Sequence, residues 1–434
     1  MKTISTCTLG CKVNQYDTEA MLEAFERAGY VAVPFREPAD VCLVNTCTVT
    51  GTGDQKSLKM IRRAARLNPD CAIVVCGCLA QRDAEALLAM DNVRLVIGVQ
   101  RRSEVVSLLE RALAEGARLN AVAPLKGAGF EKLFVSRHEG RTRATMKIQE
   151  GCDRYCSYCI IPSVRGPVRS MPLSDVRAEA ERLAAAGYRE IVVTGIHLAS
   201  YGRGTGETLL DAVRAVHGAP GVRRVRLGSL EPVAATDEFA RALSEMPGLA
   251  RQFHLSLQSG SAEVLKRMRR RYTPDEYRRA AENLRRNMPD CAITTDVIVG
   301  FPGETDEEFQ QTLDFVREVR LARIHVFPYA RRSGTLASDM EGQVDEVVKH
   351  ARAKKLIEVG NELERRFVSD MAGTVQEVLF EQPAGEGLAE GYTGQYVRVR
   401  AQARPGEILP VRITGAEGTL AIGEVQEESE VEKP

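Results

Sequence analysis

Short β-branched runs alternate with helix-forming stretches in two separate series along this chain, which restricts the fold to parallel sheets covered by helices. In the first series the apolar runs fall at roughly 3–9, 41–49, 72–78 and 93–99, with helical stretches such as 17–28 and 54–67 between them. Met21, Leu22 and Phe25 supply the apolar side of the first helix. A doubly wound parallel sheet is predicted. The second series has runs at 145–150, 190–196, 222–230, 253–258, 292–300 and 323–328. Two of its helices carry capping boxes, Thr273 with Glu276 and Thr305 with Glu308. Six β/α units in so short a stretch predict an incomplete parallel barrel, since a closed eight-unit barrel takes roughly 250 residues.

Beyond a charged helix near 342–367, short runs at 374–380, 396–400 and 408–413 are broken by Gly and Pro, the pattern of a small all-β barrel. The expected divisions are 1–116, a Gly-containing charged linker at 117–137, a barrel-like unit at 138–370, an all-β unit at 371–425 and an acidic, disordered tail at 426–434. Lys plus Arg and Asp plus Glu balance at 59 each, so net charge excludes no partner and only local clustering informs. The amino terminus lacks a signal-peptide pattern, and no apolar run reaches the roughly 18–20 residues of a membrane span. A cytoplasmic protein with no membrane partner is expected. Eleven cysteines in such a reducing compartment point to metal binding or catalysis rather than disulfides.

Cys152, Cys156 and Cys159 follow the first strand of the second series, in the run EGCDRYCSYCIIP from Glu150 to Pro162. Thiolates hold iron–sulfur clusters, normally four per [4Fe–4S] unit, so three leave one iron open to another ligand. A zinc site completed by a fourth ligand is the competing reading. Cys11, Cys47 and Cys78 occupy matching places after three strands of the first series, at the sheet edge where open α/β sheets bind ligands. They read equally as a second cluster site or as three small buried residues. Cys76 alternates onto the other face of its strand, and Cys7, Cys42, Cys71 and Cys291 read as buried side chains.

The Cys152 loop resembles the signature of the radical S-adenosylmethionine (SAM) superfamily. That resemblance implies a [4Fe–4S] cluster whose open iron binds SAM and, once reduced, cleaves it to a 5′-deoxyadenosyl radical. The segments TLGCKVNQYDTE from Thr8, NTCTVT from Asn45 and GCLAQ from Gly77 resemble the cluster-binding segments of the methylthiotransferases. The likeness continues through Gly195 to His197, RLGSLEP from Arg226, LSLQSGS from Leu255 and TTDVIVGFPGET from Thr294. It implies an auxiliary [4Fe–4S] cluster on Cys11, Cys47 and Cys78, and SAM as both radical source and methyl donor.

For SAM, the resemblance implicates Tyr158 against the adenine and Thr194, Gly195 and Ile196 at a position where the superfamily places an acidic residue that is missing here. Glu231, Ser256 and Gln258 end later strands and point toward the same mouth, with Val299 and Tyr329 closing over the adenine. Asp296 lies in an apolar strand, where a carboxylate needs a partner. Basic residues gather near the cluster loop and in Lys266 to Arg271, making Arg165, Arg169, Arg270 and Arg271 candidates for phosphate contact. The carboxy-terminal unit resembles the TRAM domain, an RNA-binding barrel, and adds Arg398, although Glu377, Glu381 and Glu386 dilute its positive charge.

Taken with the family, the sequence predicts methylthiolation at C2 of N6-threonylcarbamoyladenosine 37 in the anticodon stem-loop of tRNA. Val13-Asn14 favours this branch, since the N6-isopentenyladenosine branch typically carries Met-Asn, and the branch acting on a ribosomal protein a Pro-Lys-Asn sequence. The expected partners are tRNA, a low-potential electron donor such as flavodoxin or ferredoxin, and a sulfur donor, and the family analogy implies a monomer. A tRNA-binding module with structural clusters and a single-cluster radical methyltransferase are the readings from other classes.

Overall fold

The computed structural model describes residues 2–138 and 140–426, so the expected acidic tail lies, from residue 427 onward, outside the described residues. Its first six strands, β1 (Thr3–Thr8), β2 (Val31–Val33), β3 (Val41–Thr46), β4 (Ala72–Gly77), β5 (Val93–Val96) and β6 (Leu119–Asn120), form one sheet in the order β2-β1-β3-β4-β5-β6. Every pairing is parallel. The order reverses between β1 and β3, which makes that junction the switch point of a doubly wound sheet. The two strands missing from the sequence reading, β2 and β6, are edge strands of three and two residues, too short to show periodicity.

The second series contains β7 (Arg143–Glu150), β8 (Arg169–Ser170), β9 (Glu190–Gly195), β10 (Arg224–Leu227), β11 (Gln252–His254), β12 (Ala292–Val299) and β13 (Arg323–Pro328). They form sheets β10-β9-β7-β8 and β11-β12-β13, joined by the parallel bridges Val225 to Leu249 and Leu230 to Leu255. Apart from the two-residue antiparallel β8, the strands run parallel in chain order. Among the described residues no pairing joins β13 back to β7.

Strand alternation sorts the side chains of this series onto two faces. Ala144, Met146, Ile148, Ile191, Val193, Val225, Phe253, Ile293 and Val297 enter the main core. The alternate positions include Thr145, Lys147, Gln149, Glu190, Thr194, Arg224, Arg226, Gln252, His254, Thr294, Asp296, Arg323 and His325, with Val192, Ile298 and Phe327 their apolar members. Branched apolar layers fill the interior of a closed barrel of this type. This inner face is polar instead, and cavities open against it.

After the helix Glu346–Ser369, strands β14 (Val375–Gly385), β15 (Leu388–Thr393), β16 (Arg398–Gln402), β17 (Ile408–Glu417) and β18 (Leu420–Val425) close a five-stranded barrel in the order β14-β15-β16-β18-β17. The sequence reading missed β15 and β18, both interrupted by glycine. At Gly391 a Cβ would stand 2.2 Å from the Leu379 carbonyl oxygen, and at Gly423 it would stand 2.4 Å from Val411. Those glycines record close strand crossings, not turns.

This barrel docks on the amino ends of β7, β9 and β10. Arg224 donates to the carbonyls of Tyr392 and Glu377, and Arg226 to those of Thr393 and Gly394. Tyr392 and Tyr396 stack at 4.7 Å, with the Arg143 guanidinium over both rings. Buried Glu190 holds Arg226 at 2.7 Å and Arg224 at 3.1 Å. Among the described residues no helix is long and apolar enough to cross a membrane.

Burial pushes the Glu190 carboxyl up, but Arg226, Arg224 and Arg143 outweigh it and hold it below its usual range. Its folded-state pKa therefore lies below the unfolded value. The resulting stability is present above the usual glutamate pKa of about 4.3 and lost as pH falls through the depressed folded value. Glu190→Gln should cost about 3–5 kcal/mol at pH 7, because it strands two buried guanidinium groups. Chemical denaturation of both proteins from pH 7 down to acid checks this, and the gap between them should narrow on acidification.

Candidate active site: two thiol triads

Cys11, Cys47 and Cys78 follow β1, β3 and β4, three adjacent strands spanning the switch point. Cys11 occupies the cap position of the helix Lys12–Arg27, and Cys78 opens the short helix Cys78–Arg82. Two glycines let these turns close. Gly10, at φ +101°, would place a Cβ 3.0 Å from that of Cys47, and Gly77, at φ +94°, would place one 2.4 Å from Asn45 Oδ1. Two asparagines lock them: Asn14 Nδ2 donates to the Leu9 carbonyl at 2.7 Å and that of Thr46 at 3.0 Å, and Asn45 Nδ2 donates to the Asn14 carbonyl at 2.9 Å. Burial raises the Cys78 thiol to about 11, with Arg165 pulling it down and Cys11 and Cys47 pushing it up. The three thiols are thus electrostatic neighbours.

The second triad leaves β7 through Gly151, where a Cβ would stand 1.9 Å from the Pro167 carbonyl oxygen. The Gln149 side chain fixes that exit, donating to the carbonyls of Glu150 and Gly151 at 2.8 Å and accepting from the His197 amide at 2.6 Å. Ser157 anchors the loop further through the carbonyls of Met268 and Arg267. Burial raises the Cys159 thiol to about 12, and Cys156 and Cys152 add to it.

Among the described residues, the one group of three Cys, His, Asp or Glu ligand atoms lying within 4.8 Å of one another is His254, Asp296 and His325, and it includes none of these cysteines. Thiolates around one tetrahedral zinc stand only about 3.8 Å apart, given a Zn–S distance of about 2.3 Å. Neither triad forms so close a grouping among the described residues, and three soft thiolates could hold an iron–sulfur cluster with one iron left open.

Each triad meets one arginine. Arg165 Nε donates to Cys78 Sγ at 3.1 Å, and Arg270 Nη1 donates to Cys156 Sγ at 3.1 Å. Arg165 is fully buried and also binds Glu150 at 2.6 Å and Asn14 Oδ1. Around it, Asp17 pairs with Arg102 and Lys147, Glu131 with Arg102 at 2.9 Å, and Glu150 with Lys147 at 3.4 Å. This buried ionic group joins the edge of the first sheet to β7.

The mouth of the second series is polar and cationic. Glu231 receives Arg154 at 2.8 Å, His197 at 3.1 Å and Arg270 at 3.4 Å. Thr194 is buried, Gly195, Ile196 and Ser256 are half-buried, and Gln258 lies at φ +69° with its backbone bridged to β12. Tyr158 and Tyr329 both pack edge-on against Phe301. Val299, expected over the adenine, faces the main core instead, and strand alternation brings Ile298 beside Tyr158.

Three of the arginines expected to face RNA point inward. Arg165 serves Cys78, Arg270 serves Cys156 and Glu231, and Arg169 is buried against the Arg165 carbonyl. Arg271 and Arg398 are exposed. Gln149 was not singled out from sequence, Arg154 was read only as one of the basic residues near the cluster loop, and Asn14, Asn45 and His197 entered only within the family-like segments, with no structural role assigned. For Asn14 and Asn45 the signal was available, since both sit inside the cysteine segments.

An open three-thiol loop at the carboxyl end of the first strand of a parallel β/α series defines a radical SAM enzyme. The Radical SAM superfamily matches residues 146–316, and the Uncharacterized protein family UPF0004 matches 3–98. The threonylcarbamoyladenosine tRNA methylthiotransferase MtaB of Bacillus subtilis (strain 168) is 41% identical over 428 residues, covering 96% of this chain and 94% of that protein. The protein of the same name from Thermotoga maritima is 37% identical, covering 95% and 94%. The tRNA-2-methylthio-N(6)-dimethylallyladenosine synthase of Parafrankia sp. (strain EAN1pec) is also 37% identical, covering 97% and 86%. Among solved structures, the radical S-adenosylmethionine methyltransferase TsrM of Kitasatospora setae shares the fold, with TM-score 0.56, 18% identity and coverage of 78% and 75%. The chain belongs to the radical SAM methylthiotransferase family, whose members carry two [4Fe–4S] clusters and use SAM.

Anaerobically reconstituted protein should hold about eight irons per chain, and Cys156→Ala about four. Iron analysis with cluster absorbance checks this, and four irons in the unaltered protein would remove the second cluster.

Proposed function

We propose that this protein replaces the C2 hydrogen of N6-threonylcarbamoyladenosine at position 37 of tRNA with a methylthio group. The observation that carries the reading is the pair of thiol triads held together through Arg165, one able to support radical chemistry and the other sulfur delivery. The names of the Bacillus and Thermotoga relatives support this substrate. With clusters and SAM bound, the Cys152 triad supplies hydrogen abstraction and methyl donation, and the Cys11 triad supplies sulfur.

The chain's own groups do the rest. Tyr158 and Tyr329, around Phe301, form an apolar wall for adenine, while Thr194, Gly195, Ile196, Glu231, Ser256 and Gln258 line the polar mouth for the charged end of SAM. Arg165 and Arg270 direct N–H groups at a sulfur of each triad, which stabilises thiolate and tunes cluster potential.

The division into an auxiliary-cluster unit (1–116), linker (117–137), radical SAM core (138–370) and TRAM-like barrel (371–425) belongs to the same proposal. Arg271 and Arg398 are its anticodon stem-loop contacts. A low-potential electron donor such as flavodoxin or ferredoxin and a separate sulfur donor complete the system, which works as a cytoplasmic monomer.

Mass spectrometry of tRNA nucleosides from a strain lacking this gene provides the test. The methylthio form of N6-threonylcarbamoyladenosine should vanish while that of N6-isopentenyladenosine persists. The opposite pattern would transfer the protein to the isopentenyl branch.

A further inference from the structure

A cavity of about 300 Å³ lies against the polar inner face of the second series, and its walls include Lys12, Arg226, His254, Thr294, Arg323 and His325. Tyr396 of the carboxy-terminal barrel also lines it. Lys12 directly follows Cys11, and the wall segment Gly228–Ser229 leads into Glu231, which binds Arg154 of the Cys152 loop.

Charge decides what the cavity can take. Arg226 pairs with Glu190 at 2.7 Å, a carboxylate it shares with Arg224 at 3.1 Å. Arg323 has only a distant carboxylate, Glu364 at 3.8 Å, and among the described residues Lys12 has none within 4.0 Å. The spacing of His254, Asp296 and His325 could accept a divalent cation. Arg323 and Lys12 line the same space, however, and their positive charge opposes one. The Asp296 carboxylate lies 3.4 Å from His254 Nε2, an atom that is buried without a hydrogen bond. The balance favours an anion that also offers hydrogen-bonding groups.

Arg323, His325 and Phe327 alternate along one face of β13, and Phe327 is 50% exposed. An open aromatic ring beside a polar, cationic pocket suits a stacked base carrying a charged substituent. In a purine, C2 and the carbon bearing N6 are separated only by N1, so a substituent on N6 must be housed close to the reacting edge.

Building on the substrate reading above, we propose that this face of β13 is the subsite for the N6 side chain of the substrate adenosine. Arg323, with Lys12 opposite, binds its carboxylate; His325, His254 and Thr294 meet its hydroxyl and carbamoyl groups; Phe327 stacks on the base. An apolar isopentenyl group would leave these polar groups unpaired, which is how the pocket discriminates.

The test uses the cluster-loaded enzyme and anticodon stem-loop RNAs carrying N6-threonylcarbamoyladenosine, its methyl ester or N6-isopentenyladenosine. Kd is measured by anisotropy without turnover, and KM and kcat separately. Arg323→Gln should weaken Kd and raise KM for the free acid about 10- to 100-fold, the loss expected for one charge-assisted hydrogen bond. It should leave the ester and isopentenyl RNAs nearly unchanged, with kcat little altered. Lys12→Gln, with iron content verified, should act in the same direction.

Equal weakening for all three RNAs would reduce Arg323 to general backbone attraction and overturn the subsite. So would cobalt(II) binding that His325→Ala abolishes, if Arg323→Gln leaves the preference for acid over ester intact. If the unaltered enzyme modifies only the isopentenyl RNA, the substrate reading itself fails. If it modifies the threonylcarbamoyl RNA and Arg323→Gln changes nothing, only the subsite fails.

Discussion

The placement of one triad against the other depends on the buried ionic group around Arg165. Asp17 on the first helix, Arg102, the linker's Glu131, Lys147 and Glu150 on β7, and Arg165 after the cluster loop form a continuous set of pairs with almost no solvent contact. Such groups add little net stability over well-packed apolar side chains, because desolvation offsets most of the attraction. Breaking one is costly, since it leaves a buried charge alone. What the group supplies is position, as two rigid α/β units have only one mutual setting that satisfies every member.

Much of this architecture was legible from the chain alone. Six of the seven strands of the second series and four of the first were visible as apolar runs, because each buries a face against helices. Cys152, Cys156 and Cys159 stood out by their close spacing after one strand, and Cys11, Cys47 and Cys78 because each follows a different strand within a family-like segment. The ionic group was invisible because it ties together segments as distant as Asp17 and Lys147, and a charged residue carries no mark of its partner. The same gap misplaced Arg165 and Arg169, since charge read along a sequence does not separate an interior guanidinium from one facing solvent. Asp296 stood out as a carboxylate in an apolar strand, and His254 is its partner, supplied by the neighbouring strand β11.

The polar inner face of the second series follows from what bounds it. At the carboxyl ends of the strands, the thiol loops and their arginines close the space. At the amino ends the five-stranded barrel closes it through Arg143, Arg224 and Arg226 against Tyr392, Tyr396 and strand carbonyls. The inner face has no need of apolar layers for stability, because the helix-facing side of each strand already supplies the core. Its side chains are free to be selected for contact with a ligand.

The span of the ionic group also bears on how the chain is made. The ribosome releases Asp17 and Arg102 long before Lys147, Glu150 and Arg165, so the first sheet emerges while its edge is still missing its partners. Cys11, Cys47 and Cys78 can come together within that sheet, yet the guanidinium that donates to Cys78 arrives only with the next unit. During synthesis the amino-terminal unit therefore displays an incomplete, ionised edge beside its three thiols. Folding of the second unit then covers that edge, which gives the assembly of this protein a direction from amino to carboxyl terminus.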